Sequence, residues 1–120
     1  MVVMTSRPVV LIVDDDSSMR ELLETMISLD GRYRIGGVAA DGFEGAMLAA
    51  DLHPDVVILD FFMPRWDGEK AAEFIRKNCP ECKIVGFSAV LTEKPSWADS
   101  FLVKNDIEQL MPLVHEMSAV

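Results

Sequence analysis

Positive charge is scarce in this chain. Eleven Lys and Arg face twenty Asp and Glu across 120 residues, for a net charge of −9. Binding a nucleic-acid backbone needs clustered Lys and Arg, and so does docking on an anionic membrane; the balance excludes both partner classes. No apolar run approaches the roughly 20 residues of a membrane span, and the opening MVVMTSRP lacks the apolar stretch of a secretory leader. A cytoplasmic location is therefore the default expectation. Cysteine is nearly absent, with two residues in the order Cys79-Pro80-Glu81-Cys82. Redox CxxC pairs usually open a helix, whose dipole favours the thiolate, whereas this pair closes one. A structural zinc needs two further ligands, and His53 and His115 are the only histidines. The pair is read as reduced loop cysteines, His53 as a plain surface residue, and His115 as suited to the dipole of a C-terminal helix.

Apolar side chains are plentiful, at half of all residues. One domain with one core is expected over 1–120. Strand and helix patterns alternate from end to end. Residues 8–13 form a continuous apolar run, as in a strand buried on both faces. A helix over about 17–29 carries the stripe Met19, Leu22, Leu23, Met26 and Ile27, with Ser18 and Glu21 spaced as a capping box and Gly31 as its stop. Residues 33–39 read as a second strand, interrupted by Gly36 and Gly37. Asp41 and Glu44 open a helix to about Leu52. A central strand at 56–59 precedes a loop over 61–66, and Asp67 caps a helix to about Lys77. Strands at 84–87 and 101–103 follow. Asn105 or Asp106 caps a last helix with the stripe Ile107, Leu110, Met111, Val114 and Met117, and Pro112 within it is expected to bend it. Leu113 beside Pro112 is read as exposed, a possible contact in a homodimer.

Such alternation implies a parallel sheet with right-handed crossovers and helices on both faces. Five strands predict a flavodoxin-like (βα)5 doubly wound sheet of order 2-1-3-4-5. Only twelve residues, 89–100, separate the last two strands. A parallel crossover needs at least about 10–12 residues, and Pro95 biases Lys94 away from helical dihedrals. The fourth helix is therefore expected to be one or two turns, or missing.

The chemistry gathers at the carboxyl ends of the predicted strands, where open α/β sheets bind ligands. VVLIVDDD (9–16) supplies Asp14 and Asp15, with Asp16 read as a helix cap. DVVILDFFMP (55–64) supplies Asp60, KIVGFSAV (83–90) Ser88, and SFLVKN (100–105) Lys104. Clustered carboxylates repel unless a cation neutralises them, and hard carboxylate oxygens suit Mg²⁺, which retains sites for water and phosphate. Lys104 offers an ammonium to Asp60 or to a phosphoryl oxygen, and Ser88 a hydroxyl to another. An aspartate can itself be the nucleophile and form an acyl phosphate; Asp60, at the tip of the central strand, is the candidate.

These residues resemble the receiver domain of bacterial two-component response regulators over nearly the whole chain. Each matching motif alone is weak; five in order, each ending a strand, are specific. The resemblance implies that Asp14 and Asp15 are the acidic pair and that Asp60, followed by Met63-Pro64 and Asp67-Gly68, is the phosphoacceptor. It also implies that Ser88-Ala89 is the switch hydroxyl with its alanine, Lys104 the family lysine and Phe101 the aromatic switch position. The Phe62 backbone carbonyl becomes the third protein ligand of Mg²⁺. The implied partners are a sensor histidine kinase or phosphotransfer protein and a downstream protein. With one helix and a short tail after Lys104, output through protein contact is expected, with no enzymatic activity beyond self-phosphorylation and self-dephosphorylation.

Three departures stand out. Asn105 follows Lys104 where the family usually has proline. The fourth helix, part of the family's signalling surface, is curtailed. Phe62 and Val90, two residues after Asp60 and Ser88, are apolar where they border the path of a hydrolytic water, which implies slow self-dephosphorylation. Two other function classes stand beside the receiver reading. One is a phosphorylation-independent binding module, which the first two departures suit. The other is a haloacid-dehalogenase-type phosphohydrolase, which needs a second acid where Phe62 stands. A CxxC redox protein would require a depressed Cys79 pKa that its context does not supply.

Overall fold

The computed structural model describes residues 7–119. The first six residues, read above for a leader, lie outside it. Five parallel strands form one sheet of order β2-β1-β3-β4-β5: β1 Val9–Val13, β2 Arg34–Ala39, β3 Val56–Leu59, β4 Lys83–Ser88 and β5 Ser100–Val103. Four α-helices cover its faces: α1 Ser17–Asp30, α2 Gly42–Leu52, α3 Gly68–Asn78 and α4 Leu110–Ser118. This is the flavodoxin-like doubly wound arrangement expected from the alternation. Among the described residues no helix is long and apolar enough to cross a membrane.

Burial follows the pattern of a two-faced parallel sheet. Every residue of β3 is buried, as are Val10–Val13. Leu11, Val13, Val57 and Leu59 meet Ala46, Ala49, Ala72 and Ile75 of α2 and α3 on one face. On the other, Val10, Ile12, Ile58 and Val85 meet Leu23 and Ile27 of α1 with Leu110 and Val114 of α4. Alternating side chains of one strand thus fill two separate cores. Gly45 permits the close approach of α2, since a Cβ there would press into the Val13 methyls. Gly36 and Gly37 do not end β2. The register of β1 on β2 slips between Val10 and Leu11, skipping Gly36, as at a bulge.

Local details depart from expectation where competing donors were near. Asp16 caps α1, as read from the sequence, but the Ser18–Glu21 capping box does not form: the Asp16 side chain accepts from Ser18 N, and Gly31 closes the helix in the left-handed region at φ 77°. Leu22 of the proposed stripe faces solvent. Asp41 caps α2 by accepting from Glu44 N, while Glu44 accepts from Ala40 N, one residue before the cap. His53 is more than surface: it ends α2 in the left-handed region at φ 47°, its N–H bonded to Ala49 O. Neither Asn105 nor Asp106 caps the last helix. A 3-10 segment, Lys104–Gln109, leads into α4 instead, with Asp106 off helical dihedrals. Pro112 falls in the first turn of α4, where no intrahelical partner for its missing N–H exists; the kink lies upstream. Leu113 is half-buried against the core beside α4 rather than exposed. His115, near the end of α4, meets the Tyr33 hydroxyl at 3.1 Å.

The cysteines are not reduced. Cys79 and Cys82 form a disulfide, both fully buried. The turn through Pro80 bonds Cys82 N to Cys79 O and places both sulfurs in one core cluster.

The helix expected between β4 and β5 is missing altogether. Residues 89–99 cross from β4 to β5 without a helix. The Trp97 indole takes the helix's place: it stacks on Phe61, ring planes 10° apart, and reaches the space that a Cβ on Gly68 or Gly86 would occupy. Ala98 is buried beside it. Arg76 of α3 ties the segment down through Trp97 O, Asp99 Oδ2 and Cys82 O. Asp99 continues the sheet pattern from both its N–H, to Ile84 O, and its side chain, which accepts from Ile84 N at 2.7 Å.

Candidate functional site

Asp14, Asp60 and Ser88 are the buried polar residues of the described chain, and all three sit at strand ends. The sheet order places the β1 and β3 ends side by side, with helices departing to opposite faces, so a crevice opens between them. Carboxylate oxygens of Asp14, Asp15 and Asp60 all lie within 4.8 Å of one another there. Asp15 is exposed, at the mouth; Asp14 and Asp60 form the floor.

Each group is held by named donors. Asp14 Oδ1 accepts from Asp16 N at 2.9 Å, and its carbonyl accepts from the Arg20 guanidinium at 2.8 Å. Asp60 Oδ1 accepts from Phe61 N at 2.8 Å. Lys104 Nζ spans the two acids, 2.8 Å from Asp14 Oδ2 and 3.3 Å from Asp60 Oδ2. Ser88 Oγ accepts from Val90 N at 3.2 Å, which anchors the turn after β4. Gly68 N donates to Phe61 O at 2.7 Å, folding the loop after Asp60 back onto α3. A Cβ on Gly68 would drive into Asp60 O, so only glycine lets that loop close.

One ammonium does not neutralise this cluster. Burial, and then the neighbouring Asp14 charge, push the Asp60 carboxyl up to about 6, against the opposing pull of Lys104 and of Phe61 N. For Lys104, burial works against the charged form, but the Asp14 hydrogen bond and the charges of Asp60 and Asp14 outweigh it, so its pKa is raised. A carboxyl raised by burial and by a neighbouring like charge is the electrostatic signature of a site with room for a further cation. Three hard carboxylates fit a magnesium-like ion better than a soft one.

The five side chains selected from the sequence for chemistry thus stand at the same end of the sheet, and four of them are in one cluster. Phe101 lies on β5 against Gly86, where a Cβ would meet its ring at 3.2 Å. The Phe62 and Val90 side chains are both well exposed. Two contributors were not foreseen. Arg20 grips the Asp14 carbonyl from the first turns of α1, and the Lys104 bond to Asp14 is shorter than its bond to Asp60. A basic residue six positions after an acid at a strand end was the available signal for Arg20.

A family model for the response regulator receiver domain matches residues 10–112. The chain belongs to that family. Among curated relatives, this receiver is 30% identical over 117 residues to the nitrate/nitrite response regulator NarL of Escherichia coli K12, covering 92% of this chain and 54% of NarL. It is 46% identical over 70 residues to a protein-glutamate methylesterase/protein-glutamine glutaminase of Methanosarcina barkeri, covering 58% of this chain and 19% of that protein. The chain therefore spans a fifth to about half of the length of these relatives. Among solved structures, the response regulator domain of Thermotoga maritima CheB superposes with a TM-score of 0.87 at 25% identity, covering 96% of this chain and 98% of that one. The response regulator TrrA of the same organism, solved in complex with Mg²⁺ and BeF, gives 0.82 at 30% identity, over 92% of this chain and 98% of that one.

Proposed function

We propose that this receiver accepts a phosphoryl group on Asp60 in a magnesium-dependent reaction and signals by protein contact. The single observation that carries the reading is the Asp60 carboxylate itself. It is buried at the tip of the central strand, oriented by Phe61 N, touched by Lys104 and faced by two further acids. Such a carboxylate is held still and starved of water, the condition under which positioning and charge neutralisation dominate phosphoryl transfer.

In this mechanism a carboxylate oxygen of Asp60 attacks the phosphorus of a phosphohistidine, or of a small acyl phosphate such as acetyl phosphate. The P–N or P–O bond to the leaving group breaks, and the product is an aspartyl phosphate. Asp14 and Asp15, with Asp60 and the Phe62 backbone carbonyl, would hold Mg²⁺, which supplies charge neutralisation for the carboxylates and the phosphoryl oxygens. Lys104 transfers one of its hydrogen bonds from Asp60 to a phosphoryl oxygen. Ser88 gives up its turn contacts and donates its hydroxyl to another. That displacement, with Phe101 on the adjacent strand, biases the two-state equilibrium that partners read. The donors are a sensor histidine kinase or a phosphotransfer protein. The acidic balance of the chain favours a protein as the receiver of the signal.

The test is intact mass after incubation with acetyl phosphate and Mg²⁺. Gain of one phosphoryl group by the wild type, and none by Asp60→Asn or in EDTA, supports the reading. A second reading, a module that binds its partner irrespective of phosphate, is favoured by one observation: a segment without a helix replaces part of the family's usual signalling surface. It predicts no mass gain with any donor.

A further inference from the structure

At the opposite end of the sheet, two connections converge on a second set of metal-ligating side chains. His53 closes α2 before β3, and Cys79, Glu81 and Cys82 lie between α3 and β4. Donor atoms of His53, Cys79 and Glu81 all lie within 4.8 Å of one another. His53 Nδ1 is 2.6 Å from Glu81 Oε1, which is 3.6 Å from Cys79 Sγ. Cys82 Sγ is joined to Cys79 Sγ by the disulfide. From the sequence, the CxxC pair lacked two further ligands; the fold supplies an imidazole and a carboxylate. The length of β3, about 13 Å at the usual strand rise, separates this cluster from Asp60.

We propose that Cys79, Cys82, His53 and Glu81 form a redox-gated site for a zinc-like divalent cation, of which the disulfide is the oxidised, metal-free state. Tetrahedral zinc with Cys and His ligands places neighbouring donor atoms about 3.3–3.8 Å apart. The observed cluster reaches that spacing by exchanging the His53–Glu81 hydrogen bond for two bonds to the metal and parting the two sulfurs. Two buried thiolates and two exposed groups describe a site with a dry floor and a solvent-facing entry. The backbone at His53 points the same way. A left-handed helix cap is filled more readily by Gly or Asn, so capping alone does not account for an imidazole there.

The chemistry balances with a dithiol reductant. Thiol–disulfide exchange moves two electrons and two protons onto Cys79 and Cys82 as the reductant closes its own disulfide. Metal binding then takes the two thiolates, the imidazole and the carboxylate and releases the two thiol protons. The reverse exchange expels the cation: a disulfide oxidant takes two electrons from the two thiolates and two protons from water, becoming a dithiol, and the Cys79–Cys82 bond re-forms.

Cobalt titration of the full chain tests this, in excess Mg²⁺ so that the acidic crevice does not compete. The reduced protein is expected to bind one equivalent, with thiolate-to-cobalt charge-transfer absorption and the d–d bands of a tetrahedral site, and Zn²⁺ is expected to displace it. The oxidised protein should show no charge-transfer band. His53→Asn keeps a residue that tolerates the helix cap and should weaken binding at least tenfold, the least that loss of a ligand costs where even supporting groups cost about 10–100-fold. Absence of the charge-transfer band in the reduced wild type overturns the proposal. So does His53→Asn binding as tightly as the wild type, because the dithiol alone would then suffice. Either result leaves the Asp60 reading untouched.

Discussion

Asp60→Asn is expected to make the metal-free protein more stable at neutral pH. Burial and the adjacent Asp14 charge push Asp60 up to about 6 from the ordinary 3.8, with the favourable contacts from Lys104 and Phe61 N already included. The folded state therefore holds a proton that the unfolded chain releases. That contribution to stability is fully present below pH 3.8 and is lost as the pH rises through about 6. The displacement of about two pH units corresponds to about 3 kcal/mol at pH 7.5, at 1.36 kcal/mol per unit. Asparagine resembles the neutral acid and escapes this cost. Its advantage is about 3 kcal/mol at pH 7.5 and about 1 kcal/mol at pH 4.5, where the native Asp60 is largely protonated. Urea unfolding in EDTA, followed through Trp66 and Trp97, reads the difference. With a slope of about 1.5 kcal/mol per molar urea, the midpoint rises by about 2 M at pH 7.5 and by less than half of that at pH 4.5. Added Mg²⁺ narrows the gap by stabilising the wild type. An unchanged or lowered midpoint at pH 7.5, or an equal shift at both pH values, refutes the electrostatic account of the site.

Lys104→Met removes the cation that spans Asp14 and Asp60; unfolding in EDTA at pH 7.5 should show a loss of about 2–4 kcal/mol, as for a buried pair stripped of one partner, with part recovered in Mg²⁺. Gly68→Ala forces a methyl group against Asp60 O and Phe61 Cα, and the same assay should report a loss of about 2 kcal/mol or more, with slower phosphorylation because the Asp60 loop is displaced. The phosphorylated form should persist for hours, since Phe62 and Val90 offer no polar group to orient a hydrolytic water; Phe62→Gln should shorten its lifetime several-fold, read by intact mass against time.

The fold was legible because the signals that set it are local and redundant. The apolar runs at Val9–Val13 and Val56–Leu59 admit no solvent-facing register, and Gly31, Asp41 and Asp67 punctuate the helices where their side chains or dihedrals demand it. The site was legible because strand ends fix its members: once the order of the sheet is known, Asp14, Asp15 and Asp60 are neighbours. What escaped depends on contacts that sequence spacing does not encode. The Asp16 cap was legible, but not that it would displace the Ser18–Glu21 capping box, which fails because the Asp16 carboxylate takes Ser18 N. The short crossover pointed to one or two turns or no helix between β4 and β5, but not to the Trp97 indole filling that place over Gly86. The cysteines were read as reduced because spacing does not show that the turn through Pro80 brings the two sulfurs together, nor that His53, from a different crossover 26 residues before Cys79, meets Glu81. Arg20 was passed over because its partner is a backbone carbonyl, which its spacing of six from Asp14 signals only weakly.

The central claim is that Asp60 is the residue that carries the phosphoryl group. Borohydride reduction of protein treated with acetyl phosphate and Mg²⁺ converts an aspartyl phosphate to homoserine, and peptide mass mapping locates it. The account predicts homoserine at position 60 alone, dependent on Mg²⁺. Homoserine at Asp14 or Asp15, or at no aspartate in protein that has gained phosphoryl mass, contradicts it.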